Sequence, residues 1–313
     1  MNQSFMQTTD IVAQKEQVSS LGGYGACALA GCFWGMGFFF GKIVLAEMSV
    51  AHMVLYRFWF ACPPLFFVLR RPRFSGREWQ LLLVAAFLGI PVQYLVQFQG
   101  LSLTTVSHAA LMVGTMPVIL AMGACIFAHE RLDRLGWLAL AGSTAGVAMI
   151  VLSSNHAVSA HGPTLAGDLL VVLSLLIALA WVLLNKHLMR THSPLQVTAY
   201  GLLSGTLMLS LWVLLRNGLP PAHGVSAHAW LALLASGLLC NTSAMFLWNW
   251  GISRVPASRA GVFLNIEPAM GSMLGVRLLG ERLSPLAWIG GGLIVTAAIM
   301  ITSGGRKADS NPL

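Results

Sequence analysis

Residues 100–137 read GLSLTTVSHAALMVGTMPVILAMGACIFAHERLDRLGW, and residues 251–288 read GISRVPASRAGVFLNIEPAMGSMLGVRLLGERLSPLAW. The two stretches lie 151 positions apart, and unlike residue types recur in them in the same order. A proline falls at Pro117 and Pro268, and Glu-Arg-Leu closes the copies at residues 130–132 and 281–283. Chance supplies single identities but not this register, so the chain contains an internal repeat.

The composition indicates a membrane protein. Only 9% of the 313 residues are charged and 57% are hydrophobic, whereas a soluble domain carries about 25% charged residues. These figures exclude a disordered chain and an ordinary cytosolic enzyme. The net charge of +8 predicts no nucleic-acid partner, because basic residues in so apolar a chain mark its orientation in a bilayer. The five cysteines lie in apolar runs, where a thiol acts as a small hydrophobic group and not as part of a disulfide framework.

Long apolar runs predict the membrane-spanning segments. Crossing a bilayer takes about 20 mostly apolar residues, and backbone groups in lipid must bond within their own segment, so each run is read as a helix. The alternation typical of a transmembrane β-barrel is absent from the sequence. Ten helices are predicted, at roughly 22–44, 52–69, 79–99, 107–127, 135–153, 168–188, 195–215, 230–250, 259–279 and 285–303.

The basic residues predict the orientation of these helices. With the N-terminus inside, thirteen Lys and Arg residues fall on inside segments and four on outside segments, so both termini are predicted to be cytoplasmic. Because five helices separate the two copies of the repeat, the second copy is inverted. The predicted fold is an all-α integral membrane protein, with ten transmembrane helices as two inverted five-helix repeats. The repeats occupy residues 22–153 and 166–303, between polar cytoplasmic tails at 1–21 and 304–313.

Several motifs match a known pattern: Trp34-Gly35, Arg57, the segment Asn265-Ile-Glu-Pro268 and the closing Gly280-Glu-Arg-Leu283. With ten helices in an inverted repeat, the chain resembles EamA-type members of the drug/metabolite transporter superfamily, over about residues 22–303. The resemblance implies export of small metabolites, often amino acids or their relatives, across a bacterial inner membrane. The motifs specify the fold better than the substrate.

Two charged residues lie clearly inside the predicted spans and away from their ends, Arg57 in helix 2 and Glu267 in helix 9. Placing a charge in the bilayer costs about 2.5–3.5 kcal/mol on insertion scales, so such residues are candidates for function. Glu267 could couple transport to protons or bind a substrate amine. The alternative is structural, with Glu267 paired to an arginine such as Arg57 or to backbone groups freed by the adjacent proline.

Polar and aromatic residues at similar depth predict a central cavity for the substrate. For the Gln and Asn residues the alternative is interhelical hydrogen bonding, worth about 0.6 kcal/mol on average. For the aromatic residues it is contact with lipid or with the membrane interface. The predicted lining is Trp34, Phe38, Gln93, Tyr94, Gln97, His108, Met112, Trp181, Asn185, Asn241, Trp248, Asn249, Phe263 and Asn265.

The predicted function is that of a secondary transporter that exports a small metabolite by alternating access, with protons as the candidate coupling ion. Pro117 and Pro268 would kink helices 4 and 9 and serve as hinges, or simply shape the cavity. No phosphate-binding loop, metal-ligand cluster or catalytic triad appears in the sequence, so no cofactor, metal or enzymatic activity is predicted. Two alternatives remain: a polytopic enzyme acting on lipid-linked substrates, for which acidic residues are too few, and an uncoupled facilitator. The expected partners are the substrate and the lipid bilayer.

Overall fold

The computed structural model describes residues 3–67, 69, 74–128, 134–154, 163–221, 223–254 and 261–304. The first Glu-Arg-Leu motif at 130–132 and residues 305–313 lie outside this description. The described residues form helices and contain no strand. The α-helices are α1 (Gln3–Leu45), α2 (Val50–Ala61), α3 (Pro63–Phe66), α4 (Gly76–Phe87), α5 (Gln93–Ser102), α6 (Val106–Val113), α7 (Met116–Ala128), α8 (Arg134–Ser154), α9 (Leu165–Leu188), α10 (Pro194–Asn217), α11 (Ala227–Ala235), α12 (Ala244–Ile252), α13 (Ile266–Leu278) and α14 (Pro285–Gly304).

Helical segments that can cross a membrane confirm an all-helical, multi-pass membrane protein. Within the described ranges, five segments are long and apolar enough, and three shorter apolar helices accompany them. The number of ten spans and the inverted arrangement stay predictions from the sequence. The five long segments are Gly22–Leu45, Gly76–Ser102, Leu165–Leu188, Pro194–Asn217 and Ala227–Ile252.

Hydroxyl side chains determine where several helices begin. Ser49, Thr105, Thr164, Ser193 and Ser226 each accept a hydrogen bond from a backbone N–H in the first turn of the following helix. These bonds satisfy donors that have no partner within the helix itself. The polar residues between the apolar runs therefore act as helix starts as well as connections.

Two π-helical segments interrupt the long helices of the two repeats at corresponding positions. Leu88–Val92 joins α4 to α5, and Ser236–Ser243 joins α11 to α12. The offset of 151 maps residues 88–92 onto 239–243, within the second segment. In the first segment Pro91 has no N–H to donate, which prevents a regular α-helical ladder. Such bulges often mark functional positions.

A second pair of interruptions divides the helices that follow. α6 ends at Val113 before α7 begins at Met116, and a 3-10 segment (Gly261–Asn265) leads into α13. Pro117 and Pro268 lack the N–H groups that would bond to the carbonyl groups four residues earlier in a continuous helix. The sequence analysis predicted a kink at these prolines. In the structure each proline lies in the first turn after a break, where a missing N–H is tolerated.

Glycines on α1 hold the second interruption close to the first helix. A Cβ atom added at Gly31 would lie 2.7 Å from the Phe263 carbonyl oxygen, and one at Gly35 would lie 2.7 Å from the Glu267 carbonyl oxygen. Only glycine permits such an approach between two backbones. The start of α13, which carries Glu267, is thereby placed against the middle of α1.

Candidate functional site

A cavity of about 710 Å³, including its opening, lies between helices of both repeats. The first repeat contributes residues from α1, α2, α5, α6 and α7, and the second contributes residues from α9, α12, α13 and the 3-10 segment.

Nine of the residues predicted as functional line this cavity. They include six of the aromatic and amide side chains proposed on α1, α5 and α12, one on α9, and both intramembrane charges. These residues are Trp34, Phe38, Arg57, Gln93, Tyr94, Gln97, Trp181, Trp248 and Glu267.

The other predicted side chains lie outside the lining. Several are engaged elsewhere: His108 faces Asp168, Asn249 donates a 2.7 Å hydrogen bond to Thr198, and the ring of Phe263 packs 5.6 Å from that of Tyr24. Asn241 lies directly behind the lining, where it contacts Arg57. The predicted residues outside the lining are His108, Met112, Asn185, Asn241, Asn249, Phe263, Asn265 and Pro268, and the side chain of Pro117 lies outside the described part of the structure.

Apolar residues complete the cavity wall and were not predicted. Nothing in a membrane sequence separates an apolar residue facing a cavity from one facing lipid. Met116 is the exception, because the offset of 151 makes it the counterpart of Glu267, and both line the cavity. The unpredicted lining residues are Gly37, Phe98, Val113, Met116, Leu120, Leu175, Ala178, Val182, Met245 and Leu264.

Arg57 forms the cationic part of the cavity. Its side chain is only 2% exposed, and its Nε donates a 2.8 Å hydrogen bond to Oδ1 of Asn241. The guanidinium carbon lies 4.8 Å from the ring centre of Phe98 and 5.3 Å from that of Tyr94, distances at which the two rings attract a cation. Its Nη1 is buried and has no hydrogen-bond partner in the described part of the chain.

Glu267 supplies the acidic group of the same cavity. It is 8% exposed and lies in the first turn of α13, where the helix dipole favours a negative charge. Among the residues that the structure describes, its carboxylate makes no ion pair, with Arg57 or with any other cation. The cavity therefore presents a cation and an acid that make no direct contact with each other.

Asp168 is a third buried charge, which the sequence analysis missed. It is fully buried, accepts a 2.6 Å hydrogen bond from the Thr104 hydroxyl, and its Oδ2 lies 3.2 Å from Nδ1 of His108. Asp168 stands at the first residue of a predicted span, so the sequence did not show whether it faced water or protein. The statement that only Arg57 and Glu267 lie within the spans is corrected accordingly.

Asp168 belongs to a set of polar contacts, here called the clasp, that joins the second repeat to residues 100–108 of the first. On its other side are Thr164, just before the second repeat, and Asp168 and Glu281 within that repeat. The Thr164 N–H donates to the Leu103 carbonyl at 3.1 Å, and its hydroxyl donates to the same oxygen at 2.6 Å. The Glu281 carboxylate accepts two 2.8 Å bonds, from the backbone N–H groups of residues 106 and 107 at the start of α6.

The clasp lies at one end of the cavity. On α9 the first lining residue is Leu175, seven residues beyond Asp168, or about 10 Å along the helix axis. Leu101 and Val171 are fully buried and belong to the hydrophobic core between the clasp and the cavity. Lys42 on α1 donates hydrogen bonds to the carbonyl groups of Leu101 and Thr104. Apolar packing and polar contacts thus separate the cavity from this end of the bundle.

The EamA-like transporter family matches residues 21–152 and 165–303 of the chain. The chain belongs to this family. The match covers both halves that the sequence repeat defines, and the resemblance inferred from the motifs is confirmed. An EamA-like transporter acts on a small molecule within a membrane, which agrees with a cavity formed by helices from both repeats.

Relatives of this EamA-like transporter are also transporters. An "Uncharacterized transporter" of Archaeoglobus fulgidus is 26% identical over 280 residues, covering 88% of this chain and 95% of the relative. A "Probable terminal-alkyne amino-acid exporter" of Streptantibioticus cattleyicolor is 26% identical over 251 residues, covering 78% and 80%. A crystal structure matches with a TM-score of 0.65 at 19% identity, covering 94% of this chain and 99% of that one, and shows that the fold is shared.

Proposed function

We propose that the protein exports small metabolites, amino acids or related compounds, across the bacterial inner membrane by alternating access. The observation that carries this proposal is the cavity between the repeats, with amide, aromatic and charged side chains in its wall. Membership of a transporter family and similarity to a protein named as an amino-acid exporter support it.

The substrate binds in this cavity. Gln93 and Gln97 are one helical turn apart on α5 and both line the cavity, so their amides can bind polar groups of a metabolite. Trp34, Trp181 and Trp248 supply flat apolar surface for its carbon skeleton. A small amphipathic molecule matches this combination better than an ion or a lipid.

Alternating access requires that the two ends of the cavity open in turn. The ten helices form two inverted repeats in this proposal, and the breaks before Pro117 and Pro268 act as hinges. With both termini cytoplasmic, the clasp faces the outside and closes that end. The cavity then loads from the cytoplasm, as export requires, and release needs the clasp to separate.

Glu267 couples the cycle to protons. It is a buried acid in the cavity without a direct cationic partner among the described residues. Gaining and losing a proton would change the charge of the cavity in each half of the cycle. An inward proton gradient can then drive the outward step.

A metabolite comparison tests the function. Intracellular and extracellular pools are compared in cells with and without the gene, and candidate substrates are then measured with the purified protein in liposomes. We expect accumulation outside the cells, counterflow in liposomes and faster export under an inward proton gradient. Counterflow without any response to the gradient would show an uncoupled facilitator, and no transport of any metabolite would overturn the proposal.

A reversible cross-link tests the role of the clasp. Thr164 and Leu103 are joined by a backbone hydrogen bond, so cysteines at both positions can form a disulfide. The background variant lacks Cys27, Cys32, Cys62, Cys125 and Cys240. We expect oxidation of the Leu103→Cys/Thr164→Cys variant to stop export and reduction to restore it, with the single variants unaffected. Full export by the oxidised protein would contradict opening at this end.

A further inference from the structure

We infer that Arg57 is the binding site for a carboxylate group of the transported metabolite, and that Asn241 positions it. The inference rests on the proposed function, because it assigns one part of the same cavity. It narrows the substrate class to small molecules that carry a carboxylate beside an apolar or aromatic body.

The Arg57 side chain has hydrogen-bond donors that the described protein leaves unused. A guanidinium group stays charged at any physiological pH and offers five N–H donors. In the described structure only the Nε donor has a partner, and Nη1 is buried without one. A buried cation without an anionic partner is strongly unfavourable. The face of Arg57 that lines the cavity is therefore suited to receive an anion from outside the protein.

Arg57 and Glu267 are not paired with each other. Both side chains line the cavity, yet they form no ion pair in the part of the chain that the structure describes. A structural pair would satisfy both groups by direct contact. A separate cation and acid instead fit a ligand with two ends, such as an amino acid whose carboxylate binds Arg57 and whose ammonium group binds Glu267.

Asn241 and Gly37 contact the guanidinium group of Arg57 and set its orientation. Asn241 lies within the π-helical segment Ser236–Ser243 and is fully buried, with Oδ1 held at Nε of Arg57. On the other side, a Cβ atom at Gly37 would lie 3.1 Å from Nη2 of Arg57, so a glycine leaves room for the group. With Nε held by the amide, no described residue accepts a hydrogen bond from the Nη groups, and turning the buried Nη1 toward the cavity would allow the planar, two-bond contact that guanidinium makes with carboxylates.

The surroundings favour a carboxylate over phosphate. Arg57 contributes one positive charge, and its neighbours Phe98 and Tyr94 are aromatic. A single charge among rings balances a monoanion, whereas a phosphate dianion would keep an unpaired charge in a largely apolar cavity. Phosphate and chloride nevertheless serve as separate arms of the test.

The test measures binding by the purified full-length protein in detergent, by calorimetry and by thermal stabilisation. The probes are the twenty amino acids, the carboxamide and the decarboxylated amine of each apolar or aromatic one, inorganic phosphate and chloride. The variants are Arg57→Lys, which keeps the charge but loses the planar fork, and Asn241→Asp, which places a carboxylate of the protein itself at Arg57. Asn217→Asp, an exposed position at the end of α10, is the matched control for the second change.

We expect at least one free amino acid to bind at least about tenfold more tightly than its carboxamide and its amine. This factor corresponds to the loss of one hydrogen bond between charged groups. Arg57→Lys and Asn241→Asp should both remove this preference, while Asn217→Asp keeps it. Equal binding of acids and amides, binding of phosphate or chloride in their place, or an unchanged preference in both variants would overturn the inference. So would a panel in which no carboxylate binds.

Transport separates this inference from the proposed function. If a carboxylate binds at Arg57 but is not moved across liposomes, the proposed function fails and the site stands. If metabolites are transported but their amides are transported equally well, the function stands and the carboxylate site fails.

Discussion

At the interruption between α6 and α7, the Thr115 hydroxyl donates a 2.8 Å bond to the Met112 carbonyl, whereas at the corresponding interruption before α13 the polar groups are left free. Both amide atoms of Asn265 are buried without a hydrogen-bond partner among the residues described, and Glu267 follows two positions later. At the first break, a side chain of the break itself bonds to a backbone carbonyl group. At the second break, the amide of Asn265 has no described hydrogen-bond partner and lies close to the cavity residue Glu267 in the chain.

The residues that line the cavity after each break show the same difference. Met116 and Glu267 occupy equivalent positions in the repeat, and both reach the cavity. A methionine needs no polar partner, whereas a buried carboxylate does. Both copies of the repeat therefore have the broken helix, but only the second copy places an ionisable side chain in the cavity at this position.

The largest effect is expected at this pair of residues. Glu267→Gln removes the titrating group and keeps the shape, so export driven by a proton gradient should fall by about 5- to 150-fold, the usual range of a coupling free energy. Met116→Leu should change it little, since it replaces one apolar side chain with another of similar size. Gradient-driven export in liposomes is the measurement. Equal losses in both variants would refute the asymmetry between the breaks.

Exchanging the two residues sharpens the comparison. The variant Met116→Glu/Glu267→Met keeps the composition of the cavity but moves the acid to the break that Thr115 already satisfies. We expect gradient-driven export to stay as low as in Glu267→Gln. The measurement is export at several external pH values. Recovery to the level of the unmodified protein would show that the two positions are interchangeable.

The close approach of α1 to the second break predicts an intermediate effect, on stability. A Cβ atom at Gly35 would lie 2.7 Å from the Glu267 carbonyl oxygen and 2.8 Å from Cβ of Met270. Gly35→Ala should lower the free energy of unfolding by about 1–3 kcal/mol, as overpacking does. Gly201→Ala on α10 is the control, because a Cβ atom added at Gly201 would have no described atom outside its own helix within 4 Å. It should raise stability by about 0.5–1 kcal/mol, as measured by unfolding in detergent.

The smallest effect is expected at an acid outside the spanning segments. Hydrogen bonds from the hydroxyl and the backbone N–H of Ser226, both 2.6 Å long, lower the pKa of Glu47 from its ordinary value of 4.5. A lowered pKa stabilises the fold above the ordinary value, and this contribution is lost as the pH falls through the pKa of the folded state.

Glu47→Gln should therefore reduce the melting temperature slightly at neutral pH, and the difference from the unmodified protein should vanish in acid. Export should be unaffected, in contrast to Glu267→Gln. A melting difference that grows on acidification would contradict the assignment. Melting temperatures of both proteins between neutral and acidic pH provide the measurement.

Much of the architecture was predictable, because it depends on local properties of the chain. Apolar runs of sufficient length become helices in lipid whatever surrounds them. The breaks near Pro117 and Pro268 follow from the missing N–H of proline. Arg57 and Glu267 stood out as candidates because a charge within an apolar run is costly.

The partners of these residues could not be predicted. Arg57 and Asn241 are separated by 184 positions, and nothing in either segment indicates that they touch. Asp168 was not predicted as a buried residue because it lies at the end of a predicted span, where charged residues are common. In a membrane protein both lipid and core are apolar, so hydrophobic periodicity does not show which helix face turns inward.

The sequence by itself determined the helical, membrane-spanning class of the protein, its internal repeat, its family and the two charges in its cavity. Only the tertiary structure decided that Arg57 is oriented by Asn241 without an ion pair to Glu267, and that the clasp closes one end. The physical reason is that helix formation is local, whereas contacts between polar groups depend on how the helices rotate and how closely glycines let them approach.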